Sequence, residues 1–283
     1  MLLTRKGFLQ AGLATAAAIL ARPALAKEWT TVRVATEGAF PPFNSTAPDG
    51  TLIGFEPDMC AELAKRQKIA FPMLAQAWDG IIPGLNDGKY DAICDGMSIT
   101  AKREEVIAFS RPYTNSGSGF TVLKDGPLAS MPGTGQRVSL DDDAATKDVI
   151  AALSKALAGK TVAVQVATIQ FDLLTKYFKD VVTVRTYAAG PDTYLDLKNG
   201  RADAVLSSTT NAAPFIKRSR GDLALAGTAF IGGVLGQGSA FGLRKSDTDL
   251  KTIIDAGLTS MIADGSLKAL SMKWFEFDVT PKA

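Results

Sequence analysis

Leu85-Asn86-Asp87-Gly88-Lys89-Tyr90-Asp91-Ala92-Ile93 and Leu197-Lys198-Asn199-Gly200-Arg201-Ala202-Asp203-Ala204-Val205 are two copies of one pattern, Leu-x-x-Gly-(Lys/Arg)-x-Asp-Ala-(Ile/Val). Each copy reads as the end of a helix and the start of a strand. The glycine can take the left-handed conformation that closes a helix, the basic residue suits the negative end of the helix dipole, and the β-branched residue that follows favours extended chain. Upstream, Thr31-Val32-Arg33-Val34 is echoed by Thr161-Val162-Ala163-Val164, each a run suited to a buried strand. Working outward, the first unit reads as strand 32–36, helix 57–67, strand 70–74, helix 80–87 and strand 90–94, with Pro83 tolerated only in the first turn of its helix. The second repeats the order with strand 161–166, helix 168–178, strand 181–186, helix 191–199 and strand 202–206. This alternation predicts an α/β protein of two similar units, each a parallel sheet with covering helices.

Between the units, the stretch from Pro132 to Gln136 is turn-rich and a helix is expected near 146–157. The acidic run Asp141-Asp142-Asp143 reads as a solvated face or a helix start, since three adjacent aspartates cannot converge on one ion. After the second unit, the glycine-dense segment from Gly232 to Gly242 lacks the strand-then-helix setting of a phosphate loop and reads as a connector or hinge. Two amphipathic helices are expected at 247–264 and 266–273.

The 283 residues include 31 Lys and Arg, 29 Asp and Glu, two cysteines and no histidine. Without histidine, Ser-His-Asp and Cys-His catalysis and the usual zinc ligand sets are excluded, and neither a metal nor a cofactor is expected. The balanced charge lacks the basic footprint of a nucleic-acid binder, so no nucleic acid is expected as a partner. Residues 1–26 have the three-part layout of a cleaved secretory signal: Arg5-Lys6, an apolar stretch from Ala11 to Ala21, and Pro23-Ala24-Leu25-Ala26 before the cleavage point. The apolar stretch falls short of the roughly 20 residues that span a bilayer. Thr4-Arg5-Lys6-Gly7-Phe8-Leu9 also resembles a twin-arginine export motif with lysine in place of the second arginine, which leaves the general and twin-arginine routes both open. Export implies an oxidising compartment, where Cys60 and Cys94 either pair or remain two buried thiols.

Ligands of open α/β sheets bind beyond the carboxyl ends of the strands, here 36–43, 95–103, 165–170 and 207–210. After the first strand, Glu37 and Phe40 precede the stiff pair Pro41-Pro42; after the third, a polar loop from Asp95 leads to Arg103, a residue able to grip a carboxylate through two parallel bonds. The alternatives are local: Arg103 could pair with Glu104 or Glu105 on the surface, and Asp95 could cap the following helix through the Met97 or Ser98 amide.

Taken together, Ala35 to Phe43, Gly54-Phe55-Glu56-Pro57-Asp58, Trp78 to Pro83, Gly88 to Ala92, Met97 to Arg103, Phe109 to Tyr113, Gly159 to Gln165, Asp196 to Ala204 and Gly242 to Lys245 closely resemble the periplasmic binding proteins for polar amino acids that serve ABC importers. The resemblance covers essentially all of the chain after residue 26. It implies a two-lobed, type II periplasmic-binding-protein fold, with 27–122 plus 240–283 in lobe 1 and 123–239 in lobe 2, closing on a ligand through two hinge strands. By motif position, it implies that Arg103, with Ser98 and backbone amides near Thr168, holds the ligand α-carboxylate. Phe40 and Trp78 would pack on the ligand side chain, Glu37 would meet a distal polar group, and Gln165, Ile169 and Gln170 would face the ligand from lobe 2; Gly96, Met97, Gly119 and Ser208 complete the expected site. Two departures stand out: Ser207-Ser208-Thr209 occupies the place where many amino-acid binders carry an aspartate for the α-ammonium, and Asp95 stands where they have serine. With the insertion near 125–158, these departures look more like the opine-binding branch, with an ordinary basic amino acid as the other ligand class. The implied setting is a monomer in the periplasm that delivers to an inner-membrane ABC permease and catalyses nothing. The alternative is a periplasmic enzyme on the same scaffold, similar to cyclohexadienyl dehydratase, with Glu37 or Asp95 as general acid.

Overall fold

The computed structural model describes residues 28–281; the expected signal segment, residues 1–26, lies outside them. The chain forms two α/β lobes, each built on its own sheet. In the first sheet the order is Met73–Ala75, Val34–Thr36, Ala92–Ile93, Gly242–Leu243, Ala108–Phe109; the first three strands are parallel, and Gly242–Leu243 runs against both its neighbours. In the second the order is Thr183–Tyr187, Thr161–Gln165, Ala204–Ser208, Ser118–Leu123, Leu223–Ile231, Arg137–Ser139, again three parallel strands followed by one that runs against both neighbours, here Ser118–Leu123. A small antiparallel sheet of Ala39–Phe40, Asn44–Thr46 and Leu52–Ile53 sits beside the first.

The two expected parallel units are therefore present; their inner strands Val34–Thr36, Ala92–Ile93 and Thr161–Gln165 are buried on both faces, whereas the edge strand Thr183–Tyr187 is polar and largely exposed. Val34 packs with Phe55, Met59 and Leu63 of the helix Phe55–Gln67 and with Leu250, Ile254, Leu258 and Met261 of Thr248–Ala263. Its neighbour Ala35 faces the opposite core with Ile81, Leu85, Tyr90 and Ile93. In the second lobe Val162 and Val164 face one core with Leu153, Leu157 and Leu173, while Ala163 faces the other with Tyr194, Leu197 and Val205. This is the period of two expected of a strand. Leu85 and Leu197, the first residues of the repeated pattern, seal equivalent cores, and the repeated aspartate ties its strand to the next. Asp91 Oδ2 accepts the Arg33 amide at 3.0 Å, and Asp203 Oδ2 accepts the Thr161 amide at 2.8 Å.

The antiparallel strands are the part that the repeat did not reveal. Ser118–Leu123 pairs along its length with Ala204–Ser208, so the chain enters the second sheet before residue 118 rather than after 122, as expected from the resemblance. The return lies at 236–239, where Ser239 bridges both Ser98 and Thr114. The glycines expected to give a loose connector are instead fitted to their neighbours: Gly236 and Gly238 have φ of +73° and +85°, and a Cβ would lie 1.9 Å from the Ile99 carbonyl oxygen and 2.5 Å from that of Thr114. Asp142 caps the helix Asp143–Leu157 by accepting the Ala145 amide, so the acidic run is a helix start. Of the two readings for the cysteines, the structure has two free thiols, both buried in the larger core of the first lobe. Among the described residues no helix is long and apolar enough to cross a membrane.

Asp91 joins two arginines in the first lobe. It accepts the Arg33 amide and Nε and the nearby Arg244 guanidinium at 3.1 Å. Burial opposes its charge, but these bonds outweigh burial and bring its pKa down to about 2. Asp91→Ala is expected to lower the unfolding free energy by about 1–3 kcal/mol, because it leaves the Arg33 amide of a buried strand without its acceptor and takes one carboxylate from the part-exposed Arg33 and Arg244, which keep their other partners. Asp203→Ala, whose carboxylate is 35% exposed, should cost less. Urea unfolding of both variants checks the order.

Candidate functional site

The residues that follow the parallel strands of both sheets line a single cavity of about 840 Å³, its open mouth included. From the first lobe come Glu37 and Phe40 after Val34–Thr36, Trp78 at the turn before Ile81–Asn86, and Asp95, Gly96, Ser98 and Arg103 after Ala92–Ile93. From the second come Gln165, Thr168, Ile169 and Gln170 after Thr161–Gln165, and Ser208 at the end of Ala204–Ser208. The structure thus brings together twelve of the fourteen residues singled out in the sequence. Met97 and Gly119 fall elsewhere. Met97 alternates with its neighbours to point into the core with Tyr90, Ile93 and Ile107, and Gly119 lies within the second sheet opposite Ser207, its missing side chain facing Thr209 and Ala229.

Arg103 lies on the short helix Ala101–Glu104, which is capped by the Thr100 hydroxyl. Its NH1 donates to the Ser98 carbonyl at 3.0 Å, its NH2 reaches the Ala167 carbonyl of the opposite lobe at 3.5 Å, and its guanidinium sits 5.2 Å from the centre of the Trp78 ring. Burial lowers its pKa to about 10, against the pull of Asp172 and Asp95, so it stays charged at neutral pH. Among the described residues it makes no ion pair; the local alternative with Glu104 or Glu105 is not what the structure shows. Ala167 holds a left-handed conformation, φ +58°, rare for alanine, and its carbonyl also accepts Trp78 Nε1 at 3.2 Å.

Glu37 accepts Gln165 Nε2 at 2.7 Å, a further bond between the lobes. Burial is the main reason its pKa rises to about 7; the Gln165 bond opposes this and Asp79 adds to it. Asp95, only 3% exposed, accepts Asn44 Nδ2 at 2.8 Å and the Thr36 hydroxyl at 3.3 Å on Oδ1, whereas its Oδ2 has no hydrogen-bond partner. It does not cap the helix that follows. Burial first, then the Glu56 and Glu37 carboxyls, push its pKa well above the ordinary range. Glu56, fully buried beneath it, is satisfied by the Gly96 amide at 2.6 Å, by Asn44 at 2.7 Å and by the Tyr113 hydroxyl.

The second-lobe wall contains no charged side chain. Ser116 Oγ lies 3.1 Å from Ser208 Oγ and 3.0 Å from Thr210 Oγ1, Gln170 donates to Ser118 Oγ at 2.9 Å, and Tyr194 pairs with Ser207 at 2.6 Å. The first turns of Ile169–Tyr177, Gly190–Lys198 and Thr209–Arg218 all border the cavity, so three helix dipoles present their positive ends to it. The sequence reading missed Gly190, Thr193, Tyr194, Asn211 and Ser116 to Ser118. The strand-end rule applied to Thr183–Tyr187 reaches Gly190 and Thr193; Ser116 to Ser118 gave no signal, because they open a strand that runs the opposite way. Across the cleft, Asn211 Nδ2 donates from the cavity wall to the Pro41 carbonyl at 2.7 Å, and at the rim Lys102 lies 3.7 Å from Asp172, so the lobes are in contact around the ligand space.

The family model for bacterial extracellular solute-binding proteins, family 3, matches residues 32–277. An octopine-binding periplasmic protein of Rhizobium meliloti is 40% identical, over 93% of this chain and 96% of its own length, and an L-cystine-binding protein of Escherichia coli K12 is 34% identical, over 90% and 86%. A solved periplasmic His/Glu/Gln/Arg/opine family-binding protein from Silicibacter pomeroyi, in complex with lysine, superposes with a TM-score of 0.72 at 33% identity, over 89% of this chain and all of that one. Two matched α/β lobes around a shared cavity and a family match that spans both of them place this chain in the bacterial extracellular solute-binding proteins, family 3.

Proposed function

We propose that the protein captures a basic amino acid or an opine between its two lobes in the periplasm, after loss of residues 1–26, and delivers it as a monomer to an inner-membrane ABC importer. The observation that carries this reading is the set of ionisable groups without a counter-charge in one cavity. Arg103 is a half-buried cation with no carboxylate, and Glu37 and Asp95 are acids with no cation, whose charged forms await one, all on the first lobe. Unpaired charges in a desolvated cleft are costly, and a zwitterion with a carboxylate at one end and a cation at the other satisfies them together. Phe40 and Trp78 supply the apolar walls between the two ends. The relatives named for octopine and cystine support an amino-acid-derived ligand, and none of the polar groups needs a catalytic role.

The neutral second lobe contributes by closing. Its hydroxyls, Gln165 and the three helix ends complete the contacts only when the lobes meet, so ligand stabilises the closed form. Small-angle scattering should show a smaller radius of gyration on saturation with ligand; an unchanged profile with binding confirmed would place the site within one lobe.

Arg103→Ala should weaken octopine and arginine at least about 100-fold by titration calorimetry, since the ligand carboxylate would be left buried without its partner. Affinity within about threefold of wild type would remove Arg103 from the site. Affinity for a cationic ligand should also fall as pH drops below about 7, because Glu37 must give up its proton to pair with the cation. The sign for stability is the reverse. A carboxyl whose folded pKa is raised holds its proton more tightly when folded, so the ligand-free protein loses stability as pH rises from about 4.5 towards 7. Glu37→Gln should flatten both profiles, read by calorimetry and by thermal unfolding across that range.

A further inference from the structure

Glu37 and Asp95 are neighbours by construction. Ala35 pairs with Ile93 in parallel register, so Glu37 and Asp95, each two residues further on, emerge at the same level of the sheet edge and both line the cavity. Glu37 uses Oε1 for Gln165, and Asp95 uses Oδ1 for Asn44 and Thr36. That leaves one oxygen of each carboxyl without a side-chain partner; the Asp95 oxygen is buried, and of the backbone only the Glu37 amide is near enough to favour its charge. Glu56 cannot supply the missing partner, since it is itself an acid saturated by Gly96, Asn44 and Tyr113. The charged groups facing Asp95 are Glu56, Glu37 and, further off, Arg103. Among the described residues no cation pairs with either carboxyl, so a cationic group on the ligand is the partner that the cavity can still receive.

We propose that Asp95 and Glu37 act as a two-carboxylate clamp that selects a ligand ending in a guanidinium over one ending in an ammonium. This rests on the reading of the cavity as a site for basic amino acids or opines. A guanidinium is planar and has five N–H donors spread over several edges, so it can offer donors to two carboxyls at once. It is also weakly hydrated, so its transfer into a closed cavity costs less than that of a compact ammonium. The aromatic setting suits a flat cation: Phe40 stacks on Phe43 at 5.0 Å and fills the space beside Gly96, where a Cβ would lie 2.6 Å from the Phe40 ring.

Titration calorimetry with arginine, citrulline and lysine on wild type, Asp95→Asn and Glu37→Gln tests the clamp. Citrulline keeps the length, carboxylate and α-ammonium of arginine and exchanges only the guanidinium for a neutral urea. Wild type should prefer arginine to lysine at least about tenfold. Asp95→Asn, which retains an acceptor for Asn44, should weaken arginine at least about 30-fold while citrulline changes less than about threefold. Glu37→Gln, outside the Asn44 network, should show the same arginine-specific loss, which keeps the test decisive should Asp95→Asn misfold. Wild-type arginine binding should also release protons, read from the dependence of the heat on buffer ionisation enthalpy, and release fewer in Asp95→Asn. Equal losses for arginine and citrulline would assign Asp95 to the α-nitrogen or to folding and overturn the clamp, as would an unchanged arginine affinity or a preference for lysine. Octopine and its ornithine-derived counterpart give the same comparison for opines. A wild type that binds none of these compounds overturns the ligand class and the clamp together.

Discussion

The side chain of Asn44, fully buried, spends its whole hydrogen-bonding capacity on the floor of the cleft. Its Oδ1 accepts the Gly38 amide at 2.8 Å and the Phe40 amide at 3.4 Å, and its Nδ2 donates to Glu56 at 2.7 Å and Asp95 at 2.8 Å. One amide therefore fixes the turn that carries Glu37 and Phe40, the first turn of the helix Phe55–Gln67 and the loop that leads to Arg103. Without it two buried acids would face each other with a donor missing between them, a costly state in a low-dielectric interior. The apolar packing of the first lobe explains that it folds; this amide explains why its binding groups point where they do.

The cleft divides its labour between lobes. The first lobe supplies the formal charges and the rings, and the second supplies hydroxyls, an amide and helix ends. Such a division lets the first lobe recognise a ligand while the cleft is open and charge still acts through water, and leaves to the second the exclusion of solvent that strengthens those contacts. Because the second wall contains no acid, it also leaves room for an additional carboxylate on the ligand without like-charge repulsion.

The parallel halves of both lobes could be read from sequence because their signals are local: a glycine after a helix, a basic residue beside it, a β-branched run. The antiparallel strands Ser118–Leu123 and Leu223–Ile231 could not, since their identity depends on partners far away in the chain and their glycines resemble turns. The site divides in the same way. Glu37, Asp95 and Arg103 stand after predicted strands, within reach of a strand-end rule, whereas Trp78 entered only through the family resemblance. Asn44 and Glu56 look like ordinary polar residues until the fold sets them beside Asp95. The glycines at 236 and 238 read as slack and are the opposite, because only the structure shows the carbonyls pressed against them.

The two buried thiols have a practical consequence. Cys60 and Cys94 are the only cysteines in the sequence, and both are sealed in the core, out of reach of reagents in the folded state. A cysteine introduced at the rim, for instance at Lys102 or Asp172 where the lobes face each other, would be the sole reactive thiol on the surface. A dye attached there would change its surroundings as the mouth narrows, turning the native scaffold into an optical reporter of its own ligand without removing a single residue from the core.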